Sequence, residues 1–248
     1  MADNPPHASP SQPLTPLSLS AGEWPPFLSA DLPHQGVVAH LIKDIFAEAG
    51  YQVSFTFLPW TRAYKNTAIG EYAATAVWMH QADRENDFSY SEPLLNEQFV
   101  FFHLKHDGFD WHTLSDLTGK TIGGVRAYSY GPDMDQALED GLFRMVRVNS
   151  AEQSLRMLAA GRTDVFAEEI NIGYHTLQNN TPDLAELITH HPKPLLTNQS
   201  YLLFPKQSAH SDELRRVFNR HLAKFKADGR YQTYFQRLED GEYRTIEH

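Results

Sequence analysis

One pattern occurs twice in this chain. Thr61 to Gly70 reads as a helix stopped by glycine and runs on into Glu71-Tyr-Ala-Ala-Thr-Ala-Val77. Glu152 to Gly161 reads the same way and runs on into Arg162-Thr-Asp-Val-Phe-Ala167. Each copy is a helix, a Gly stop, two residues, and a short strand rich in Val, Ala or Phe. The two glycines lie 91 residues apart (161 minus 70). That interval is too long for a solenoid repeat and close to the size of a small domain. The duplication predicts two similar α/β lobes with a cleft between them.

The rest of the chain supports this. Leu17–Ser20 alternates as a strand, and Gly22–Phe27 with its tandem proline is a rigid loop. Val37, Val38, Leu41, Ile42, Ile45, Phe46 and Ala49 form one apolar helical face, closed at Gly50. Further strands are predicted at Gln52–Phe57, Gln98–Leu104, Ile122–Val125, Arg144–Val148 and Ser200–Phe204. Further helices are predicted at Asp133–Gly141, Ile172–Gln178, Glu213–Asp228 and Tyr231–Leu238, with a short one before Gly119. Strands alternating with helices imply parallel sheets flanked by helices. The Pro-rich segment Met1–Thr15 has no apolar periodicity and is read as a disordered tail.

Bulk properties narrow the function. The 248 residues carry a formal net charge of -10 and no dense Lys/Arg cluster, which argues against nucleic-acid binding. No stretch is apolar enough to span a membrane. Cysteine is absent, which rules out disulfides, thiolate catalysis and zinc–thiolate sites. His190-His191 has no spaced third ligand, so neither a metal nor a cofactor is expected.

Five segments then resemble a known family. They are Glu23-Trp-Pro-Pro-Phe27, Asp83–Pro93 with its Phe88-Ser-Tyr-Ser91 core, Leu117-Thr-Gly-Lys-Thr-Ile-Gly123, Ala127-Tyr-Ser-Tyr-Gly131, and Gly161-Arg-Thr-Asp-Val-Phe-Ala-Glu-Glu169. In this order they resemble the bacterial family-3 extracellular solute-binding proteins, the polar amino-acid class of type II periplasmic binding proteins. The resemblance covers about Leu17 to Leu238. It implies an α/β fold of two lobes, each a mostly parallel sheet flanked by helices, with a ligand cleft between them. Lobe one is expected from residues 16–102 and 197–248, and lobe two from 103–196, inserted through a two-strand hinge near Phe101–Lys105 and Pro194–Asn198.

The resemblance also implies site residues. Arg84 stands where the family's carboxylate-binding Arg stands; its plainer role is pairing with Glu85 or Asp87. Glu169 stands at the position of the ammonium-binding acid, with Glu168 as the alternative, and both also read as solvated acids at a strand end. Trp24 matches the stacking aromatic, or else packs beside Pro25 and Pro26. Tyr128, Ser129 and Tyr130 occupy a loop before a helix N-terminus, a place suited to anions; the plainer role of the tyrosines is lobe–lobe packing, and Ser129 is the favoured ligand contact of the three. Trp78, Arg62 and His80 lie at strand or helix ends where cleft residues arise, with Arg62 also readable as a surface residue. The chemistry suits a zwitterion: a guanidinium fork fits a carboxylate, and an acid accepts from an ammonium.

One departure stands out. Relatives that bind standard amino acids carry Ser or Thr five and seven residues before the Arg, where this chain has Met79 and Val77. This departure points to a ligand other than a simple α-amino acid: an aromatic or modified amino acid, a small peptide-like molecule, or an organic acid. The leading expectation is a non-catalytic, monomeric, periplasmic protein that delivers its ligand to an ABC transporter, with Met1-Ala-Asp-Asn4 read as a start placed on a mature secreted terminus. The alternatives are a dehydratase-like enzyme using Glu169, Glu168 or His80 for proton transfer, and a ligand-sensing domain acting with a membrane receptor.

Overall fold

The computed structural model describes residues 13–126, 128 and 130–244. Most of the proposed disordered tail, and Ser129 among the site candidates, lie outside the described residues. In chain order the elements are β1 (Thr15–Ala21), α1 (Val37–Glu48), β2 (Tyr51–Phe57), α2 (Trp60–Ala68), β3 (Ala74–Met79), β4 (Phe88–Tyr90) and β5 (Leu95–Leu104). Then come β6 (Thr121–Val125), α3 (Pro132–Glu139), β7 (Arg144–Val148), α4 (Ala151–Ala159), β8 (Val165–Glu169) and α5 (Ile170–Asn179). The chain closes with β9 (Ile188–His190), β10 (Leu196–Pro205), α6 (Ser211–Ala227) and α7 (Arg230–Glu239).

The chain forms two compact units. Unit one takes the described part of Met1–Glu92 together with Leu202–Tyr243, and unit two takes Pro93–Tyr201 and Arg244.

The duplicated pattern is two copies of one local structure. In unit one, β1 lies between β2 and β3, parallel to both. In unit two, β6 lies between β7 and β8, parallel to both. The helices leading into β3 and β8 end alike. Gly70 (φ +87°) and Gly161 (φ +64°) take the left-handed conformation. The Gly70 N–H donates to Thr67 O and the Glu71 N–H to Asn66 O; likewise Gly161 donates to Leu158 O and Arg162 to Met157 O. This is the paired hydrogen-bond closure of a Schellman motif, and glycine enters the left-handed region without steric cost. The strands begin alike too: the Ala73 N–H donates to Ser18 O, and the Asp164 N–H to Thr121 O.

The expectation of parallel sheets needs amendment. β5 is antiparallel to β8, β9 and the first half of β10, and the end of β10 is antiparallel to β4. The alternation of strand and helix lapses at β4–β5 and at β9–β10, where strands follow one another directly.

The cores follow from the strand patterns. In unit one, α1 buries Val37, Val38, Leu41, Ile42, Ile45 and Phe46, the face read from the sequence. Phe46 meets Phe218 of α6 at 5.2 Å between ring centroids, and Phe218 meets Phe204 of β10 at 6.4 Å. Unit two buries both faces of β5. Phe99 and Phe101 point into a cluster with Trp111, Leu117, Tyr130 and Val165, while Val100 and Phe102 point into another with Leu155, Leu158 and Leu177. A strand covered on both sides needs a continuous apolar run, which Phe99–Phe102 supplies. Helix α5 packs closely enough that a Cβ on Gly173 would lie 2.1 Å from the Phe102 ring.

Candidate functional site

In unit one the candidates gather after the C-terminal ends of β1 and β3, where parallel sheets carry their functional loops. Trp78 is half-buried in β3, and its indole N–H donates to Thr75 Oγ1 at 3.1 Å. The Arg84 guanidinium lies over the Trp78 ring, 4.8 Å from the centroid, a cation–π contact. Arg84 Nη1 also donates to the Met79 carbonyl at 2.6 Å. Burial lowers the pKa of this guanidinium, with Tyr90 and Tyr64 acting the other way. A second hydrogen bond joins the guanidinium to the Tyr90 side chain.

Trp78 is framed by Trp60 at 5.2 Å and Tyr64 at 5.6 Å, both edge-on. A Cβ on Gly22 would sit 2.2 Å from the Trp60 indole, so a side chain here would force the indole to move. Trp24 is half-buried against Phe27 at 4.7 Å, and its backbone bridges to Leu28. His80 is exposed and hydrogen-bonded to Glu85 at 2.7 Å. Arg62 is exposed on the first turn of α2. Val77 is buried and Met79 is half-buried.

In unit two the acids are buried rather than solvated: Glu168 and Glu169 are both 0% exposed. They close β8 and face opposite ways. Glu169 caps α5, with Oε2 accepting from the Asn171 and Ile172 N–H groups and Oε1 from the Asn171 side chain. Burial nevertheless raises its carboxyl pKa to about 7; these hydrogen bonds pull it down and neighbouring Glu97 pushes it further up. Glu168 Oε1 accepts from the Glu169 N–H at 2.8 Å, while its Oε2 is buried with no partner among the described residues. Burial holds its pKa well above the ordinary carboxylate value.

Tyr130 is 1% exposed, and its hydroxyl accepts from the Val125 N–H at 2.7 Å. Its ring belongs to the core around Phe99, with Arg147 over it at 5.2 Å. Tyr128 is half-buried, and its carbonyl accepts from Arg147 Nη1 at 2.8 Å.

Sequence reasoning missed Glu97. It is buried in β5 beside Glu169, hydrogen-bonded to Ser200, and its pKa is raised by burial. The signal was present: Leu95, Glu97 and Phe99 occupy alternate inward positions, so the acid replaces an apolar residue in a period-two pattern. Tyr64 and Tyr90, which frame Arg84, were also missed.

Unit one thus offers a cation on an aromatic wall, and unit two offers buried carboxyls whose pKa values burial raises. Among the described residues no helix is long and apolar enough to cross a membrane.

The fold is shared with type II periplasmic binding proteins. A probable amino-acid ABC transporter extracellular-binding protein from Bacillus subtilis, ytmK, superposes with a TM-score of 0.77 at 15% identity, over 93% of this chain and all (100%) of that one. The GluR0 ligand-binding core from Nostoc punctiforme, solved with L-glutamate, gives 0.68 at 17% identity, over 90% and 99%. The ancestral amino-acid-binding protein AncCDT-1, a precursor of cyclohexadienyl dehydratase, gives 0.65 at 16%, over 89% and 94%. No curated protein matches the chain. The chain belongs to the bacterial extracellular solute-binding proteins, family 3, whose sequence profile matches residues 19–238.

Proposed function

We propose that this protein captures a small zwitterionic or carboxylate ligand, an amino acid or a derivative, and delivers it outside the cytoplasm to an ABC transporter. The observation that carries this reading is the opposite chemistry of two equivalent strand ends. After β3 the duplicated unit leads to Arg84 on Trp78. At the end of β8 it leads to Glu168 and Glu169. Arg84 takes the ligand carboxylate, Trp78 supplies an aromatic face, and Glu169 takes the ammonium. Val77 and Met79 favour a ligand with apolar bulk near its carboxylate over the smallest amino acids, because two hydroxyl contacts are replaced by larger apolar groups.

A thermal-shift panel of amino acids, their amides and their deaminated analogues tests this. Binders raise the midpoint, the amides of those binders do not, and Arg84→Ala abolishes the shift. A panel in which no carboxylate stabilises the protein would sink the clamp. A second reading, proton-transfer catalysis of the dehydratase kind, draws on the Glu169 carboxyl titrating near 7, the range suited to a general acid or base. Turnover of a stabilising compound would favour it; recovery of the compound unchanged favours binding.

A further inference from the structure

We propose that His34 and His40 form an acid-sensitive latch in unit one, which holds the segment after α7 against α1 at neutral pH and releases it when both rings carry a proton. The two imidazoles stack face to face, with centroids 3.9 Å apart and 2° between planes. His40 lies on α1 and is half-buried, while His34 lies in the loop before α1 and is exposed. Such a stack tolerates one charged ring. Two imidazolium charges at this separation repel, and a partly buried setting screens them less than bulk water does.

His40 is also where the segment after α7 is fastened. The Tyr243 hydroxyl engages His40 Nδ1 at 2.9 Å, and Tyr243 is 1% exposed. The Tyr243 ring stands edge-on to His40 and to His34, at 5.9 and 6.3 Å between centroids. On the other side, His40 Nε2 lies 3.5 Å from Asp44 Oδ2, which accepts from the Tyr234 hydroxyl of α7 at 2.5 Å. With Asp44 as acceptor for an Nε2–H, the neutral ring leaves Nδ1 to accept from Tyr243. A second proton on the ring must go to Nδ1 and so reverses that hydrogen bond.

The surrounding groups set the sign of the response. Burial lowers the His40 pKa most; His34 and Arg237 of α7 also lower it, while Asp44 of α1 and Glu242 of the turn after α7 raise it. Arg237 Nε lies 3.6 Å from Glu242 Oε2. Lys43 of α1 donates to the His34 carbonyl at 3.2 Å and to Gln35 Oε1 at 2.8 Å. The balance keeps His40 neutral in the closed form, whereas an opened segment lets it take a proton near the ordinary histidine value of about 6.5. The latch is therefore fully closed above that value and weakens as pH falls from it toward the lower pKa of the closed form. The backbone shows which ring moves. His34 (φ +56°) and Gln35 (φ +67°) hold consecutive left-handed conformations, which side-chain-bearing residues adopt at a cost. When the stack repels, the exposed and strained His34 turn yields first.

The test combines NMR titration of the histidine rings with amide exchange at Gly241 and Glu242, whose N–H groups bond back to Leu238 O and Arg237 O. The chain contains 13 histidines, so the His40 signal is assigned by its loss in His40→Gln. His34→Asn removes one ring at an exposed position, and asparagine tolerates the left-handed backbone. His40 is expected to titrate below about 6.5 in the native chain, and at a pH about 0.5 or more higher in His34→Asn. Protection of these two amides, corrected for intrinsic exchange, is expected to fall about tenfold or more from pH 7 to pH 5 in the native chain, and less than about threefold in the variant. Glu169 titrates in the same range with the opposite effect on global stability, so the readout is kept to this segment. A His40 midpoint unmoved by His34→Asn, or native protection equal at pH 5 and pH 7, would overturn the proposal.

Discussion

Glu169 shows how two demands meet on one residue. Its carboxylate caps α5 through three hydrogen bonds, yet burial beside Glu97 holds its pKa at about 7. The unfolded chain loses this proton near the ordinary glutamate value of about 4.3, and the folded protein keeps it to about 7. Between those values the folded state binds more protons, so stability falls as pH rises and then levels off. The shift corresponds to roughly 3 to 4 kcal/mol. Glu97 and Glu168, raised in the same direction, steepen the decline. Urea unfolding of the ligand-free protein between pH 4.5 and 8 is expected to show this decline, and a shallower one in Glu169→Gln. Equal slopes in the two proteins would place the buried charge elsewhere.

The helix endings make the clearest predictions among the elements. At Gly70 and Gly161 an added Cβ meets nothing within 4 Å, so alanine costs only the left-handed backbone penalty, about 1–2 kcal/mol. Gly36 (φ +94°) precedes α1, and a Cβ there would lie 2.5 Å from the Phe27 carbonyl oxygen. Gly36→Ala is therefore expected to lower the urea midpoint more than Gly161→Ala, since it adds a clash with backbone to the same strain. Equal losses would mean that the Phe27 loop yields freely. These elements were legible because glycine stops and apolar periodicity are local signals. Strands β4 and β9, three residues each, carry no such period and were not read. The burial of Glu168 and Glu169 was not legible either. It depends on β5 and α5 closing over the end of β8, contacts distant in sequence that leave no mark near the acids themselves.

For the whole molecule, the duplication places unlike side chains at two equivalent strand ends. Two copies of one strand–helix arrangement end in a cation on an aromatic wall and in buried acids. Family and fold were readable from five ordered segments, while the ligand was not. The proposed pairing of a ligand ammonium with Glu169 has a direct thermodynamic signature. A cationic group favours the ionised carboxylate, so binding below pH 7 must expel its proton. Calorimetric titration of a compound identified by the thermal-shift panel, from pH 5 to 8 and in buffers of different ionisation enthalpy, measures this. Proton release on binding is expected, with affinity that rises with pH to about 7 and then levels. Proton uptake, or affinity that falls as pH rises over this range, would contradict it.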